Sequence, residues 1–381
     1  MDKLKVLQFG PVDIRYGGPT LSTNLTIRGL EQNNMDVDIL TYYIDDKSYM
    51  IDENVNAIFM DRPIIKANFG YVPSLKKRLK DLPKYDIYHV QGCWEYPGLL
   101  MAKRAQNDGA PYVITLRGVL YPQSIDSFVK KIALKTYAGK LLSGASCVQA
   151  TCEEEMDYYR QLGFKNPVAI IPNPIETKGI IEREIKTPDK LRIGYLGRIH
   201  PRKRIERLIY AFDALRDKLS DSELVIIGGD VPEYEEFLKK EVGRLKLKNV
   251  RFAGFLKGKE KDEAICSLSY LMVPSDFENF GNIVTEALVR GVPVVASKGM
   301  PWKCLEENGC GWWIDNDQAS INRIVSELIE IPKEQRKTMG IKGKHMIERD
   351  FSISALGKKM SDLYMWVLGK AEKPTFVHTL E

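Results

Sequence analysis

Leu191-Arg192-Ile193-Gly194-Tyr195-Leu196 runs into Gly197-Arg198-Ile199-His200-Pro201-Arg202-Lys203-Arg204 and then into an amphipathic stretch from Ile205 to Lys218. The apolar run reads as a buried strand, the glycine- and proline-bearing segment as a loop, and the amphipathic stretch as a helix. In mid-chain this restarts a pattern that opens the sequence, where Leu4 to Phe9 reads as a strand, a turn-rich loop reaches Pro19, and a helix continues to about Gln32. Further strands are expected at Val37 to Tyr42, Ile87 to Val90, Tyr112 to Thr115 and Cys147 to Ala150 before the restart. After it they are expected at Leu224 to Ile227, Val250 to Ala253, Tyr270 to Val273 and Val292 to Ala296. Strands alternating with helical patterns imply parallel sheets with right-handed crossovers, so the fold class is α/β with two Rossmann-like domains. Ile170-Ile171-Pro172-Asn173-Pro174 breaks the first rhythm and places the linker near Pro172 to Lys190. The expected domains are 1–175, 185–352 and a C-terminal helix and tail at 353–381. Leu356, Met360, Leu363, Tyr364 and Val367 give that helix one face to bury.

A chain of 381 residues is long enough for two cores of ordinary size. The formal net charge of +5 is modest and dispersed, which argues against a dedicated nucleic-acid binder. A charged start leading directly into a strand, with no apolar run of roughly 18–20 residues, gives no expectation of a signal peptide or a membrane-spanning helix. Cys93, Cys147, Cys152, Cys266, Cys304 and Cys310 form no CxxC pair and have no histidine at zinc spacing. They read as small hydrophobes in a reducing, cytoplasmic compartment.

Ser275 to Leu288 (SDFENFGNIVTEAL) follows a strand and opens a helix at about Gly281. The backbone N–H groups of a helix start suit a diphosphate, and glycine lets the phosphate approach closely. Glu278 and Glu286 are placed to flank such a group, one on a sugar hydroxyl and the other on the ribose. The alternative is a helix-start acid and an exposed helix residue. In Gly197 to Arg204 the cations lie at the end of a helix dipole that disfavours them, and a bound anion reverses the sign. Arg198 can clamp phosphate bidentately and Lys203 adds a point charge, against the plainer reading of a solvated basic loop.

Gly17-Gly18-Pro19-Thr20 joins the first strand to the first helix without spelling the GxGxxG dinucleotide fingerprint. Asp36-Val37-Asp38 has a metal-binding spacing but spans an interior strand, so no metal is expected there. His89 falls at a strand end, as pocket lining or as a satisfied semi-buried histidine, and His200 lies in the basic loop. Ser124 to Ser146 interleaves Phe128, Val129, Ile132, Leu134, Leu141 and Leu142 with Lys130, Lys131, Lys135 and Lys140. Lys76-Lys77-Arg78 and Lys80 lie upstream. This reads either as a surface for an anionic bilayer or as a solvated helix with one buried side.

Together these segments resemble the retaining glycosyltransferases of the GT-B fold known as family four, which includes enzymes of capsule, O-antigen and lipopolysaccharide assembly. The resemblance spans nearly the whole chain. Gly197-Arg198 to Lys203 is similar to that family's phosphate loop, and Glu278 with Glu286 to its paired glutamates. Ile171-Pro172-Asn173 looks like the segment before its linker, Arg251 to Phe255 like the strand before its base pocket, and Gly17-Gly18 like its N-terminal glycine loop.

The resemblance implies that two domains face across a cleft and that the C-terminal helix, with Trp366, crosses back to the first. It implies that Arg198 and Lys203 stabilise the departing nucleoside diphosphate, that Glu278 faces the donor sugar, and that Glu286 holds ribose. Gly17, Gly18, Arg117, Gly254, Phe280, Gly281, Asn282 and Ile283 would complete the donor site, with no metal and no cofactor. The implied donor is a nucleotide-sugar, UDP- more than GDP-linked. The acceptor is a glycan or polyprenyl-linked saccharide, with peripheral contact at the inner membrane face. Two positions depart from the family pattern: Arg117 stands where a sugar-contacting histidine is expected, and Arg204 where a glycine follows the lysine. A nucleotide-sugar 2-epimerase and a nicotinamide dehydrogenase lack their signature residues here. The non-enzyme alternative is a sugar-nucleotide-binding scaffold in which Arg117 marks lost catalysis.

Overall fold

In the computed structural model, which describes residues 3–65 and 69–380, the chain divides into two compact units. One comprises Met1–Pro174 with Ser352–Glu381, the other Ile175–Phe351.

The first unit begins with β1 (Leu4–Phe9), α1 (Gly18–Gln32), β2 (Met35–Thr41), β3 (Asn56–Phe59) and α2 (Leu75–Asp81). It continues through β4 (Ile87–Gln91), α3 (Tyr96–Asp108), β5 (Tyr112–Thr115), α4 (Phe128–Lys135) and α5 (Tyr137–Ser143) to β6 (Cys147–Ala150), α6 (Glu153–Gln161) and β7 (Val168–Ile170). The second unit follows with β8 (Arg192–Leu196), α7 (Glu206–Ala214), β9 (Glu223–Ile227), α8 (Pro232–Arg244), β10 (Val250–Gly254) and α9 (Gly258–Cys266). It is completed by β11 (Tyr270–Val273), α10 (Asn282–Leu288), β12 (Val294–Ser297), α11 (Cys304–Glu307), β13 (Gly311–Ile314), α12 (Gln318–Glu330) and α13 (Lys333–Phe351). The chain then returns to the first unit with α14 (Ile353–Val367) and β14 (Val377–His378).

The second sheet, ordered β10-β9-β8-β11-β12-β13, is parallel at every pairing. The first runs β14-β7-β6-β5-β4-β1-β2-β3, parallel except where the short β14 pairs antiparallel with β7. In both, the strand order reverses beside the first strand of the unit, between β1 and β4 and between β8 and β11. Such a switch point leaves a crevice at the carboxyl ends of the two strands, because the chain leaves them in opposite directions. These are two Rossmann-like sheets.

Strands β4, β5, β6, β11 and β12 are buried on both faces, which is why they read as short apolar runs. One face of the first sheet packs on α2, α3 and α5 through Leu75, Leu79, Met101, Leu141 and Leu142. The opposite face packs on α1 and α14 through Ile27, Leu30, Leu356, Met360 and Leu363. The α1–α14 contact is made backbone to backbone: a Cβ added to Gly357 would lie 2.5 Å from the Gly29 Cα, and one added to Gly29 would lie 2.8 Å from the Gly357 Cα. Helix propensity alone favours alanine over glycine by about 1 kcal/mol. Gly357→Ala is nevertheless expected to destabilise by roughly 1–3 kcal/mol, because the helices must separate to admit the methyl group. Thermal unfolding followed by circular dichroism checks this, with a melting temperature lowered by several degrees as the expected result.

Candidate functional site

Two loops at the second unit's switch point carry most of the residues singled out in the sequence. Gly197 opens the first loop with φ +139°, its N–H donating to the Ile227 carbonyl at 3.0 Å. The neighbouring loop is equally constrained, since a Cβ on Gly228 would fall 1.7 Å from the Gly197 carbonyl oxygen. Ile199 N–H donates to the Gly229 carbonyl at 3.0 Å and Val231 N–H to that of Ile199 at 3.2 Å. The loop after β8 is therefore stitched to the loop after β9.

His200 caps the single 3-10 turn Pro201–Lys203, its Nδ1 accepting from the Arg202 N–H at 3.2 Å. Arg204 follows in the left-handed region, φ +49°. That conformation explains why glycine suits the position, and a non-glycine residue there costs about 1 kcal/mol. Arg204 also holds Asp276 at 2.5 Å, an ion pair that a glycine cannot form.

The second loop, after β11, is tied to the first at several points. Asp276 N–H donates to the Arg202 carbonyl at 2.9 Å, and Arg207 lies 3.6 Å from the Asp276 carboxylate. Lys203 donates to Glu278 in a short ion pair. Lys203 is only 8% exposed, and burial, with Arg202 and Arg198 nearby, brings its ammonium down to about 8. Arg198 stays largely exposed and pairs with Asp230 at 2.6 Å. Glu286 pairs with Lys261 of α9 at 2.6 Å.

Arg198, Lys203 and Arg204 of this loop are thus met by carboxylates from two other loops, those after β9 and β11, pairings that the sequence reading did not find. Asp230, Asp276 and Lys261 are distant in sequence from their partners, and no spacing rule connects them. Arg198, Lys203, Glu278 and the start of α10 are brought together. Gly281 caps α10 with φ +82°, and Asn282 and Ile283 form its first turn. Phe280 turns its ring inward onto Trp302 and Phe351, and its carbonyl accepts from the Trp302 indole at 2.5 Å. Gly254 ends β10 with φ +72°, its carbonyl accepting from Gly228 N–H at 2.9 Å.

In the first unit, Gly17 (φ +70°) caps α1, and Gly18 is its first residue. Arg117, also left-handed at φ +58°, spreads its guanidinium over protein oxygens. Its Nε donates to Gln91 at 2.9 Å, its terminal nitrogens to Asn173 at 2.7 Å, Thr23 at 3.3 Å and Ser22. Burial pushes it down to about 10, with Glu155 opposing. Arg117 therefore ties the loop after β5 to α1 and to the end of the unit, leaving little of its donor capacity for a ligand.

It also lines a cavity of about 900 Å³ at the carboxyl ends of β1, β2 and β4, together with Asp13, Tyr42, Trp94, Glu95 and Lys130. Glu95, raised by burial, accepts from the Tyr42 hydroxyl at 2.7 Å. Tyr42 and Trp94 went unnoticed in the sequence because aromatic residues at or just after strand ends look like core, and Glu95 because no motif or spacing marks it. His89 is fully buried and bonded on both ring nitrogens, to Tyr364 at 2.5 Å and Thr115 at 2.6 Å. Asp38 accepts from Tyr85 and Asn56, and among the described residues no group of three His, Cys, Asp or Glu side chains is placed to hold a metal ion.

Residues 17–174 match the Glycosyl transferase 4-like domain family, and residues 177–346 the Glycosyl transferases group 1 family. The chain is 27% identical over 350 residues to an uncharacterized glycosyltransferase of Methanocaldococcus jannaschii, covering 82% of this chain and 86% of that one. It is 31% identical over 162 residues to a GDP-mannose-dependent alpha-mannosyltransferase of Mycolicibacterium smegmatis, covering 41% of this chain and 38% of that protein. Among solved structures, Anabaena HepE in complex with UDP and glucose superposes with a TM-score of 0.73, at 18% identity, over 94% of this chain and 99% of that one. This last likeness is one of fold.

Removing one member of a part-buried ion pair strands the other. Lys203→Ala and Glu278→Ala are each expected to destabilise by about 1–3 kcal/mol. The double variant should cost less than the sum of the two by about 1 kcal/mol or more. Urea denaturation of the four proteins closes the cycle, and strict additivity would mean that the pair is not coupled.

Proposed function

We propose, for a glycosyltransferase built of a 4-like domain followed by a group 1 domain, that it moves a sugar from a nucleoside-diphosphate donor to a glycan or polyprenyl-linked acceptor in cell-surface polysaccharide synthesis. The observation carrying this reading is the convergence of Arg198 and Lys203 on the mouth of the second switch point, beside the first turn of α10. A diphosphate there displaces Asp230 and Glu278 as counter-charge. The buried ammonium then faces the oxygen on which negative charge grows as the C1–O bond to phosphate breaks. Charges fixed in advance in a water-poor site stabilise that change without reorganising.

Glu278, released from Lys203, is free to accept from a hydroxyl of the donor sugar. Glu286 exchanges Lys261 for the ribose hydroxyls. α10 is only Asn282–Leu288, so its contribution comes from its first-turn N–H groups rather than from a long dipole.

Retention of anomeric configuration fits this donor set. The acceptor oxygen attacks C1 on the face the phosphate leaves, and its proton passes to the departing phosphate oxygen, with no protein nucleophile required. With two cations and backbone amides at the diphosphate, the proposal calls for neither metal nor cofactor. The UDP and glucose bound by HepE favour UDP over GDP, while the mannosyltransferase relative, matched over less than half of either chain, keeps GDP in the test.

Arg198→Ala and Glu286→Ala are expected to lower sugar release from the preferred donor by about a hundredfold or more while leaving the melting temperature nearly unchanged. Coupled detection of UDP and GDP across a donor panel measures this, and undiminished turnover in either variant would falsify the assignment. Lys203 binds phosphate only while protonated. UDP affinity, read by calorimetry, should therefore fall as pH rises through about 8, and Lys203→Arg should flatten that dependence. An equally steep fall in the arginine variant would place the titration elsewhere.

A further inference from the structure

Helix α4 presents to solvent what an amphipathic helix ordinarily buries. Phe128 is 77% exposed, Val129 74% and Ile132 46%, while Ala133 is the helix's buried residue. Phe128, Lys131, Ile132 and Lys135 recur at the spacing that forms one stripe on a helix, so aromatic, aliphatic and ammonium groups share a face. The helix contains no acid. Exposed Lys140 of α5 continues the basic surface. Exposed Lys76, Lys77 and Lys80 lie on α2, on the same side of the sheet, since its Leu75 and Leu79 enter the same core layer as Leu141 and Leu142 of α5. On the helix's other side Lys130 faces inward: its Nζ donates to the Ser124 carbonyl at 2.7 Å, lies 5.6 Å from the Trp94 ring centre, and lines the 900 Å³ cavity.

We propose that α4 seats the first unit on an anionic bilayer, Phe128, Val129 and Ile132 entering the headgroup boundary while Lys131 and Lys135 lie among lipid phosphates. Charge decides between this occupant and a protein one. Protein interfaces are depleted in lysine at their apolar centre, whereas lysines flanking exposed Phe and Ile are the composition of interfacial helices. A second copy of this chain meeting itself through the stripe would set its lysines against one another. Lysine stems lie along apolar surface with the ammonium kept at the polar level, which suits the alternation within the stripe. Because Lys130 of the same helix lines the cavity, docking would bring that cavity to the bilayer surface, where a lipid-linked acceptor arrives. This meaning for catalysis rests on the transferase reading, but the docking itself does not.

Co-sedimentation of the full chain with phosphatidylcholine vesicles, with and without phosphatidylglycerol, tests it. Binding should be about tenfold or more tighter with phosphatidylglycerol and should weaken as salt is raised. Phe128→Glu with Ile132→Glu should weaken binding to the anionic vesicles about tenfold or more, and Lys131→Glu with Lys135→Glu should remove the preference for phosphatidylglycerol. Since all four side chains are exposed, UDP affinity and the circular dichroism spectrum of both variants should match the parent. A parent protein left in the supernatant with anionic vesicles, or a Phe128→Glu, Ile132→Glu variant bound as tightly as the parent, would overturn the proposal. So would a parent dimer in sedimentation velocity that this variant splits, since the face would then belong to a second copy. Vesicle binding by a parent that fails to bind UDP or GDP would sustain the docking and count against the donor reading alone.

Discussion

A parallel sheet whose strand order reverses beside its first strand cannot cover the ends of the two strands at the reversal. In the second unit those strands are β8 and β11, and the loops that leave them diverge around a gap. The Lys203–Glu278 pair and the Asp276-to-Arg202 backbone bond bridge the gap at its rim and set the distance between the loops. The rest of the site follows from that bracing. The left-handed turn at Arg204, the close passage of Gly197 over Gly228 and the capping of α10 by Gly281 are the backbone's means of bringing both loops to the same point.

An ion pair that braces a loop is also a charge held ready for exchange. A cation left unpaired in so buried a place would be costly, and a cation permanently saturated would be useless to a ligand. Lys203 and Arg198 occupy the middle ground, since a single carboxylate partners each. A diphosphate brings more charge and more acceptor oxygens than one carboxylate, so exchange is favourable without opening an uncompensated site. Electroneutrality before ligand arrives keeps the loop ordered, which spares the ligand that entropy cost.

The strand and helix pattern was legible because buried parallel strands and their crossover helices have different apolar periods. The restart at Leu191 fell one residue from the start of β8, and the final helix, expected within 353–381, begins at Ile353. The four-residue strands Asn56–Phe59 and Gly311–Ile314 were not legible, since an apolar run that short lacks the length and period that separate a strand from a loop before a neighbour in the sheet pairs with it. Within the site, the sequence pointed to the cations of the loop but not to what neutralises them. Asp230 and Asp276 look like ordinary loop acids until the fold sets them beside Arg198 and Arg204. The loop therefore needs no anion to offset an unfavourable dipole. The charges are already reversed by protein carboxylates, and what a ligand gains is exchange rather than rescue.

One set of buried polar side chains in the first unit obeys a stricter logic. Gln149 Nε2 donates to the Ile171 carbonyl at 2.9 Å, which leaves its Oε1 to accept from the Thr115 hydroxyl at 2.6 Å. Having given its one proton to Gln149, Thr115 can only accept from His89, so the imidazole carries its hydrogen on Nε2 and its Nδ1 accepts from the Tyr364 hydroxyl. One chain of donors runs in a single direction from α14 across β4, β5 and β6 to the residue after β7. Burial, aided by Arg117, drives the His89 imidazolium down to about 3, so the chain keeps one proton arrangement across physiological pH. A fully satisfied buried network of this kind gains little net energy but penalises every other strand register, because a slip by one residue would bury each of its members unpaired. α14 is thus not merely laid on the sheet: its Tyr364 supplies the terminal donor, and the interior of the first unit is complete only when the chain has come back to it.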